Sequence, residues 1–527
     1  MPSGDAPVVT RLLRPASRLS DSPAFVGAAA LAWLAFSIGL RPLTLPEEGR
    51  YVGVAWEMLR SGDWIVPTED GLPFFHKPPL FYWLTAASMR VFGVDAAAAR
   101  MAPLVGAAVG AIVLYRVARR WIGEDAARWT ALVLMTLPFF FGGAQFANLD
   151  MLVAGFMAAS VLLGGHATLL VRSGQAHHTA LAGAWAAAAL AVLAKGLIGI
   201  VLPGSVVFVW LLATRQARTL LSFLWPIGPI VFLLIAAPWF FAVQAQYPGF
   251  ARFFFVYQHF ERFAAGGFNN VQPWWFFFAA VPALTLPWSL WLVGSTFVAR
   301  AGEAAEATLL RQLMWVWLVV VLLFFSIPQS KPVGYAMAVL FPLAALIGDA
   351  VVARLCAGGP RARPAALASA GIAVVICLVA VGWSSATYAR DNTAIARTLA
   401  RLRAPGDRLV FVKEYFFDVP LHARLAEPVP VIDEWHDLAI AQRDNWRREL
   451  AEAAPFTPTL AAALLVDAEH GFALRCGAPL WVLVKSGDDA PVAALPGAVR
   501  VEVSNRVALW RVAAADCAAG RAKAATP

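Results

Sequence analysis

Apolar runs of about 17 to 24 residues recur along this 527-residue chain from end to end, each long enough to cross a bilayer as a helix. They lie near 24–40, 98–115, 127–143, 150–171, 179–194, 196–213, 220–243, 274–297, 308–327, 333–353 and 365–386. Hydrophobic residues make up 60% of the chain and charged residues 14%, where a soluble chain carries roughly a quarter charged. The mean hydropathy of +0.66 is too high for a water-facing surface. The fold class expected is an all-α polytopic membrane bundle of about eleven spans, with a small α/β domain at its C-terminal end. The first run follows Arg11, Arg14 and Arg18 without a small-residue cleavage site, so it reads as an anchor.

The net charge is +9, but its placement argues against nucleic acid as a partner. With the N-terminus inside, the short inner connections hold Arg116, Arg119, Arg120 and Arg128, then Arg172, Arg215 and Arg218, then Arg300, Arg311, Arg354, Arg361 and Arg363. Every one is basic, as orientation in a membrane requires. The opposite face receives two long loops, about 41–97 and 244–273, and an odd number of spans puts the tail there too. Residues 1–389 therefore read as one membrane domain with surface helices in 41–97, and 390–527 as a separate α/β domain with strand-like runs such as Arg408–Val412 and Leu480–Val484. None of the four cysteines forms a CxxC pair. Cys377 reads as a small core residue, and Cys476 and Cys517 could form a disulfide if the tail meets an oxidising space.

The outer face also collects the chemistry. Tyr51, Val54, Ala55, Met58 and Leu59 share one face of an amphipathic surface helix that opens with Glu47 and Glu48. These acids complement the helix dipole or, with Arg50 and Tyr51, line a pocket. His76 and Lys77 precede two prolines, and this stiff turn would present Lys77 to a phosphate. Asp150 sits at the outer edge of a span, where a carboxylate must be wet, paired or functional. Lys195 either snorkels to the interface or binds an anion. His259 and Arg262 are three apart and share a helical face, and Lys331 and Tyr335 add a cation and a hydroxyl. His76 and His259 near several carboxylates make a divalent metal site conceivable. Acids and cations gathered on one face suit a phosphate-linked sugar donor: cations hold the departing phosphate, and a carboxylate supports an oxocarbenium-like sugar.

These motifs resemble the GT-C membrane glycosyltransferases that use polyprenyl-phosphate sugars, nearest the branch that adds 4-amino-4-deoxy-L-arabinose to lipid A, with protein O-mannosyltransferases more distant. The resemblance runs over about 25–355 and is strongest from Glu47 to Trp83. It rests on Glu47-Glu-Gly-Arg-Tyr, Met58-Leu-Arg-Ser-Gly-Asp-Trp-Ile-Val-Pro67, Phe75-His-Lys-Pro, Asn148-Leu-Asp-Met, Lys195-Gly-Leu-Ile-Gly and His259-Phe-Glu-Arg-Phe. It implies a bacterial inner-membrane enzyme with a periplasmic C-terminal domain, an undecaprenyl-phosphate-linked donor and lipid A or another envelope acceptor. It also implies Glu47 and Asp150 as the two acids, Lys77 as a ligand of the carrier phosphate with Arg50 and Tyr335 as helpers, and His259 beside a metal or the phosphate. Lys195, Arg262 and Lys331 complete the cations expected on the donor phosphate. Glu47 stands where the family has Asp, and His76 where it has Glu. A transporter of lipid-linked sugars and a protein O-glycosyltransferase are the alternative readings. The transporter has against it the lack of repeated halves.

Overall fold

The computed structural model describes residues 23–261, 269–296, 300–358, 360–387, 391–504 and 506–515. Arg11, Arg14, Arg18, Arg262, Cys517 and the side chain of His259 lie outside what is described. Seven helices are long and apolar enough to cross a membrane: Met101–Trp121, Leu149–Arg172, His178–Lys195, Ile227–Gln246, Ala305–Ser326, Val333–Cys356 and Ala362–Thr387. An eighth span arises if Glu124–Thr136 and Pro138–Ala144, bent by 66°, count as one.

The other expected runs are shorter or broken, and proline explains most of it. Pro138 opens the second half of the bent pair. The run near 274–297 splits into Phe276–Leu284, with Pro282 inside it, and a 3-10 segment Trp288–Gly294 that follows Pro287. A proline removes a donor and clashes with the preceding turn, so such helices bend or stop. Ile198–Ala213 has 16 residues and Pro203 in its interior, and Pro23–Ala35 has 13 residues.

The chain divides into two compact units. The first comprises 1–40, 100–238 and 270–383. Leu149–Arg172 is its central helix, with 89% of its apolar window buried, against 22% for Ala362–Thr387, whose apolar face suits lipid. Met101–Trp121 packs on the central helix through Gly106 and Gly155, where a side chain on Gly155 would run into the Gly106 backbone. Small residues at such a crossing let membrane helices approach closely. One end of the unit holds an ion network. Arg300 grips Asp349 through two bonds of 2.9 Å, and the buried Arg311 bonds Glu303 at 2.6 Å and Asp349 at 3.4 Å.

The second unit comprises 41–99, 239–269 and 384–527, so the first long loop belongs with the tail. Its helices Glu47–Ser61 and Leu80–Phe92 flank a hairpin of β1 (Thr68–Glu69) and β2 (Leu72–Pro73). Asp70 and Gly71 make its turn with φ of 52° and 76°, the Asp-Gly signature of a tight hairpin. Glu57 reaches across from the first helix. Its carboxylate accepts from Thr68 Oγ1 at 2.7 Å and from the backbone N–H groups of Asp70 and Gly71 at 2.7 and 2.9 Å. Val54, Ala55 and Met58, on the expected apolar face of that helix, are buried.

The tail folds around a six-stranded sheet. Its strands are β3 (Arg408–Val412), β4 (Val431–Asp433), β5 (Leu465–Asp467), β6 (Leu480–Lys485), β7 (Ala498–Ser504) and β8 (Val507–Val512), in the order β5-β4-β3-β6-β8-β7. The first four are parallel, and β8 and β7 add antiparallel pairs. Leu409 and Phe411 point into one apolar cluster and Val410 and Val412 into another, so β3 is covered on both faces, as buried parallel strands are. Cys377 is buried with a free thiol, and Cys476 is disulfide-bonded.

Candidate active site

Three motifs far apart in sequence meet in the first unit around Asp150. Asn148 caps the central helix from an extended backbone: its side chain accepts the Asp150 N–H at 3.0 Å and donates to Asp150 Oδ2 at 3.1 Å. An acid in the first helical turn is favoured by the helix dipole. Lys195 ends its own helix, with Gly196 at φ 89° just beyond, and its ammonium pairs with Asp150 Oδ1. The same ammonium lies 4.5 Å from the centre of the Tyr335 ring, which packs on Phe325. Gly334 passes directly over the carboxylate, where any side chain would strike Asp150 Oδ2. The acid is therefore fixed on every side by a cap, a cation and a glycine. Lys331, from the same turn as Tyr335, is buried, and its ammonium donates to the Gln272 carbonyl at 3.0 Å and to that of Pro328.

The second unit places the first-loop residues. Glu47 is exposed at the first position of its helix. Glu48 is buried, bonded to Arg41 at 2.6 Å and to the Thr44 N–H at 2.7 Å. Arg50 reaches Glu449 at 2.7 Å and donates to Tyr51 Oη at 3.2 Å. Burial works against the Arg50 charge, but Glu449, Tyr51, Glu69 and Tyr82 outweigh it and hold the guanidinium protonated. Glu69 is only 4% exposed. Burial and the nearby Glu449 charge push its carboxyl well above the usual carboxylate range, against Arg50. Lys77 is half-buried on the turn after His76.

His76 is buried, and its Nε2 meets Glu452 Oε2 at 2.9 Å. The same carboxylate receives Tyr257 Oη at 2.7 Å, Arg448 Nε at 2.6 Å and Gln258 Nε2 at 3.2 Å. Burial opposes the Glu452 charge, yet bonds from His76, Tyr257 and Arg448 prevail and lower its pKa to about 2. This carboxylate already has its positive partners, so the environment of His76 is a poor fit to a dication. Among the described residues, the one set of three metal-type ligands close together is Asp391, Asp418 and His422. There the two carboxylates also receive bonds from Asn392 and Thr393.

Glu69, Glu449, Glu452, Arg448 and Tyr257 were not among the residues expected from sequence. A signal existed for two of them. Glu449 and Glu452 lie three apart on the short helix Trp446–Ala453, so both can face one way. Glu69 had none, since Pro67-Thr-Glu-Asp-Gly with its two adjacent acids reads as a turn.

Residues 76–241 match the family described as dolichyl-phosphate-mannose-protein mannosyltransferase. The chain is 32% identical over 340 residues to the undecaprenyl phosphate-alpha-4-amino-4-deoxy-L-arabinose arabinosyl transferase 2 of Pseudomonas fluorescens (strain Pf0-1), covering 63% of this chain and 60% of that one. It is 32% identical over 335 residues to the like-named transferase of Pseudomonas aeruginosa (strain LESB58), with 63% and 60% covered. The chain thus spans about three fifths of the length of the curated relatives it matches. The crystal structure of ArnT from Cupriavidus metallidurans bound to undecaprenyl phosphate superposes with a TM-score of 0.78 at 25% identity, covering 93% of this chain and 98% of that one. The resemblance read from the motifs is borne out, and the helical bundle with its sheet shares that structure's fold.

Proposed function

We propose that this chain is an inverting glycosyltransferase of the bacterial inner membrane, moving 4-amino-4-deoxy-L-arabinose from undecaprenyl phosphate to lipid A or a related envelope acceptor. The observation that carries the reading is the Asp150–Lys195–Tyr335 cluster, assembled from motifs the resemblance ties to this chemistry. The names of the curated relatives support the donor.

In the reaction a nucleophilic oxygen of the acceptor attacks the anomeric carbon opposite the leaving group. The bond from that carbon to the carrier phosphate breaks, and its electron pair stays on undecaprenyl phosphate. Positive charge builds on the sugar ring and negative charge on the leaving phosphate, so fixed charges of both signs lower the barrier. Asp150 supports the sugar cation. Lys195, Lys77 and Arg50 hold the phosphate as it leaves, with Tyr335 as a hydroxyl donor. Glu47 positions the acceptor, and an acceptor that is itself a phosphate needs no base. Lys331, engaged by main-chain carbonyls, braces the Tyr335 turn. On this reading residues 1–389 form the transferase domain, and 390–527 a periplasmic domain on the side where transfer occurs.

The test is mass spectrometry of lipid A and carrier lipids in a deletion strain. Wild-type chain should restore the pentosamine on lipid A, while Lys77→Ala and Glu47→Ala should insert normally and leave lipid A bare. Full restoration by both variants would reject the site. Donor trapped on the inner leaflet would mark a flippase instead.

A further inference from the structure

The Asn148 side chain makes two bonds where a helix cap needs one. The residue stands before the first turn of Leu149–Arg172 with φ −135° and ψ 178°, and its own N–H is held by the Phe146 carbonyl at 2.7 Å. Its Oδ1 accepts the Asp150 N–H at 3.0 Å, which completes the cap. Its Nδ2 donates to Asp150 Oδ2 at 3.1 Å. The two contacts fix the orientation of the amide, because a reversed amide would set its NH2 against an N–H and its oxygen against a carboxylate. Serine, aspartate and asparagine cap helices about equally well, and aspartate also complements the helix dipole. Aspartate at 148 would set a second negative charge against Asp150. Serine has a single oxygen on a shorter side chain. Of these three, asparagine alone supplies an acceptor for the helix and a separate N–H donor for the acid.

That donor falls on the oxygen that lacks a cation. Lys195 pairs with Asp150 Oδ1, and among the described residues Asn148 Nδ2 is the donor bonded to Oδ2. Gly334 closes over the same oxygen, where a side chain would collide. Each carboxylate oxygen has its own anchor, so the carboxylate cannot turn without breaking one. Resting on the proposed function, we infer that Asn148 is a positioning residue for transfer: its amide N–H sets the orientation in which Asp150 meets the positive charge that develops on the sugar ring. A group that stabilises developing charge works only when it is preorganised, and a displacement of about 1 Å costs about 10²-fold in rate.

The experiment separates the cap from the donor. Full-length Asn148→Ser and Asn148→Asp are purified in detergent and assayed with undecaprenyl-phosphate-linked aminoarabinose and lipid A, alongside thermal unfolding. Serine keeps a capping oxygen, so the unfolding midpoint of Asn148→Ser should stay at the wild-type value. Its kcat should fall about 10²-fold with the donor KM unchanged, the pattern of an interaction that counts only in the transition state. Asn148→Asp should lose more, since it turns the donor into a like charge. In an Asp150→Asn background Asn148→Ser should cost little further, because no carboxylate is left to position. A wild-type rate in Asn148→Asp, or an undiminished loss in the Asp150→Asn background, overturns the inference and leaves the transferase reading standing. A midpoint of Asn148→Ser that falls in step with its kcat makes Asn148 a helix cap alone and overturns the inference as well. Wild-type protein that binds the donor and transfers no sugar sinks the transferase reading, and the inference with it.

Discussion

Asp150 and Glu69 are two poorly exposed acids in two units of the molecule, and their surroundings differ in kind. Asp150 has a cap from Asn148 and an ion pair with Lys195. Glu69 has no bonded partner, and burial together with Glu449 drives it toward the neutral form. A charge taken out of water must be matched or neutralised. The first acid is matched from within the chain and so keeps a fixed charge for chemistry. The second has no bonded partner and is driven toward the neutral form instead.

The comparison is sharpest where the match is removed. Asp150→Asn or Lys195→Met should lower transfer about 10³-fold, in the range of losing one fixed electrostatic group. Because the two act as one pair, the double variant should be scarcely worse than the poorer single, measured by steady-state kinetics in a double-mutant cycle. Fully additive losses would show that Lys195 works apart from Asp150.

Arg311 tests the same rule away from the reacting groups. Replacing it by Met takes the guanidinium from Glu303 while Asp349 keeps Arg300, and breaking such a buried pair costs about 3 kcal/mol or more. Thermal unfolding in detergent should drop accordingly, with transfer intact at low temperature.

How much of this was legible beforehand follows from what local sequence encodes. Hydropathy located the bundle, and β3 and β6 fall on the strand-like runs Arg408–Val412 and Leu480–Val484. Hydropathy does not weigh proline, so Pro138, Pro203, Pro282 and Pro287 shortened or bent runs that looked continuous. The motifs around Asp150, Lys195 and Tyr335 were visible because each is short and charged within apolar surroundings. Lys331 was equally visible, yet its ammonium is bonded to carbonyls, a role that depends on backbone that no spacing rule describes. Glu449 and Glu452 stayed hidden because their partners, Arg50 and His76, come from the far end of the sequence.

Glu452 provides a matched acid within the second unit. Its folded pKa of about 2 lies below the ordinary value of about 4.3, so its contribution to stability is present above the ordinary value and is lost as pH falls from there toward 2. Glu452→Gln should flatten the acid limb of a stability–pH curve recorded between those values. An unchanged limb would show that His76, Arg448 and Tyr257 do not hold the charge.

The smallest effect is expected at Lys331. Lys331→Met should alter the donor KM less than 10-fold, since its ammonium is already spoken for by the Gln272 and Pro328 carbonyls. A loss comparable to that of Lys77→Ala would move Lys331 back among the phosphate ligands.

The central claim is the transfer itself. Purified protein in proteoliposomes, supplied with defined undecaprenyl-phosphate aminoarabinose and lipid A, should release undecaprenyl phosphate and form glycosylated lipid A whose new anomeric centre, read by NMR, is inverted relative to the donor. A product with retained configuration, or no product while the donor is bound, would contradict it.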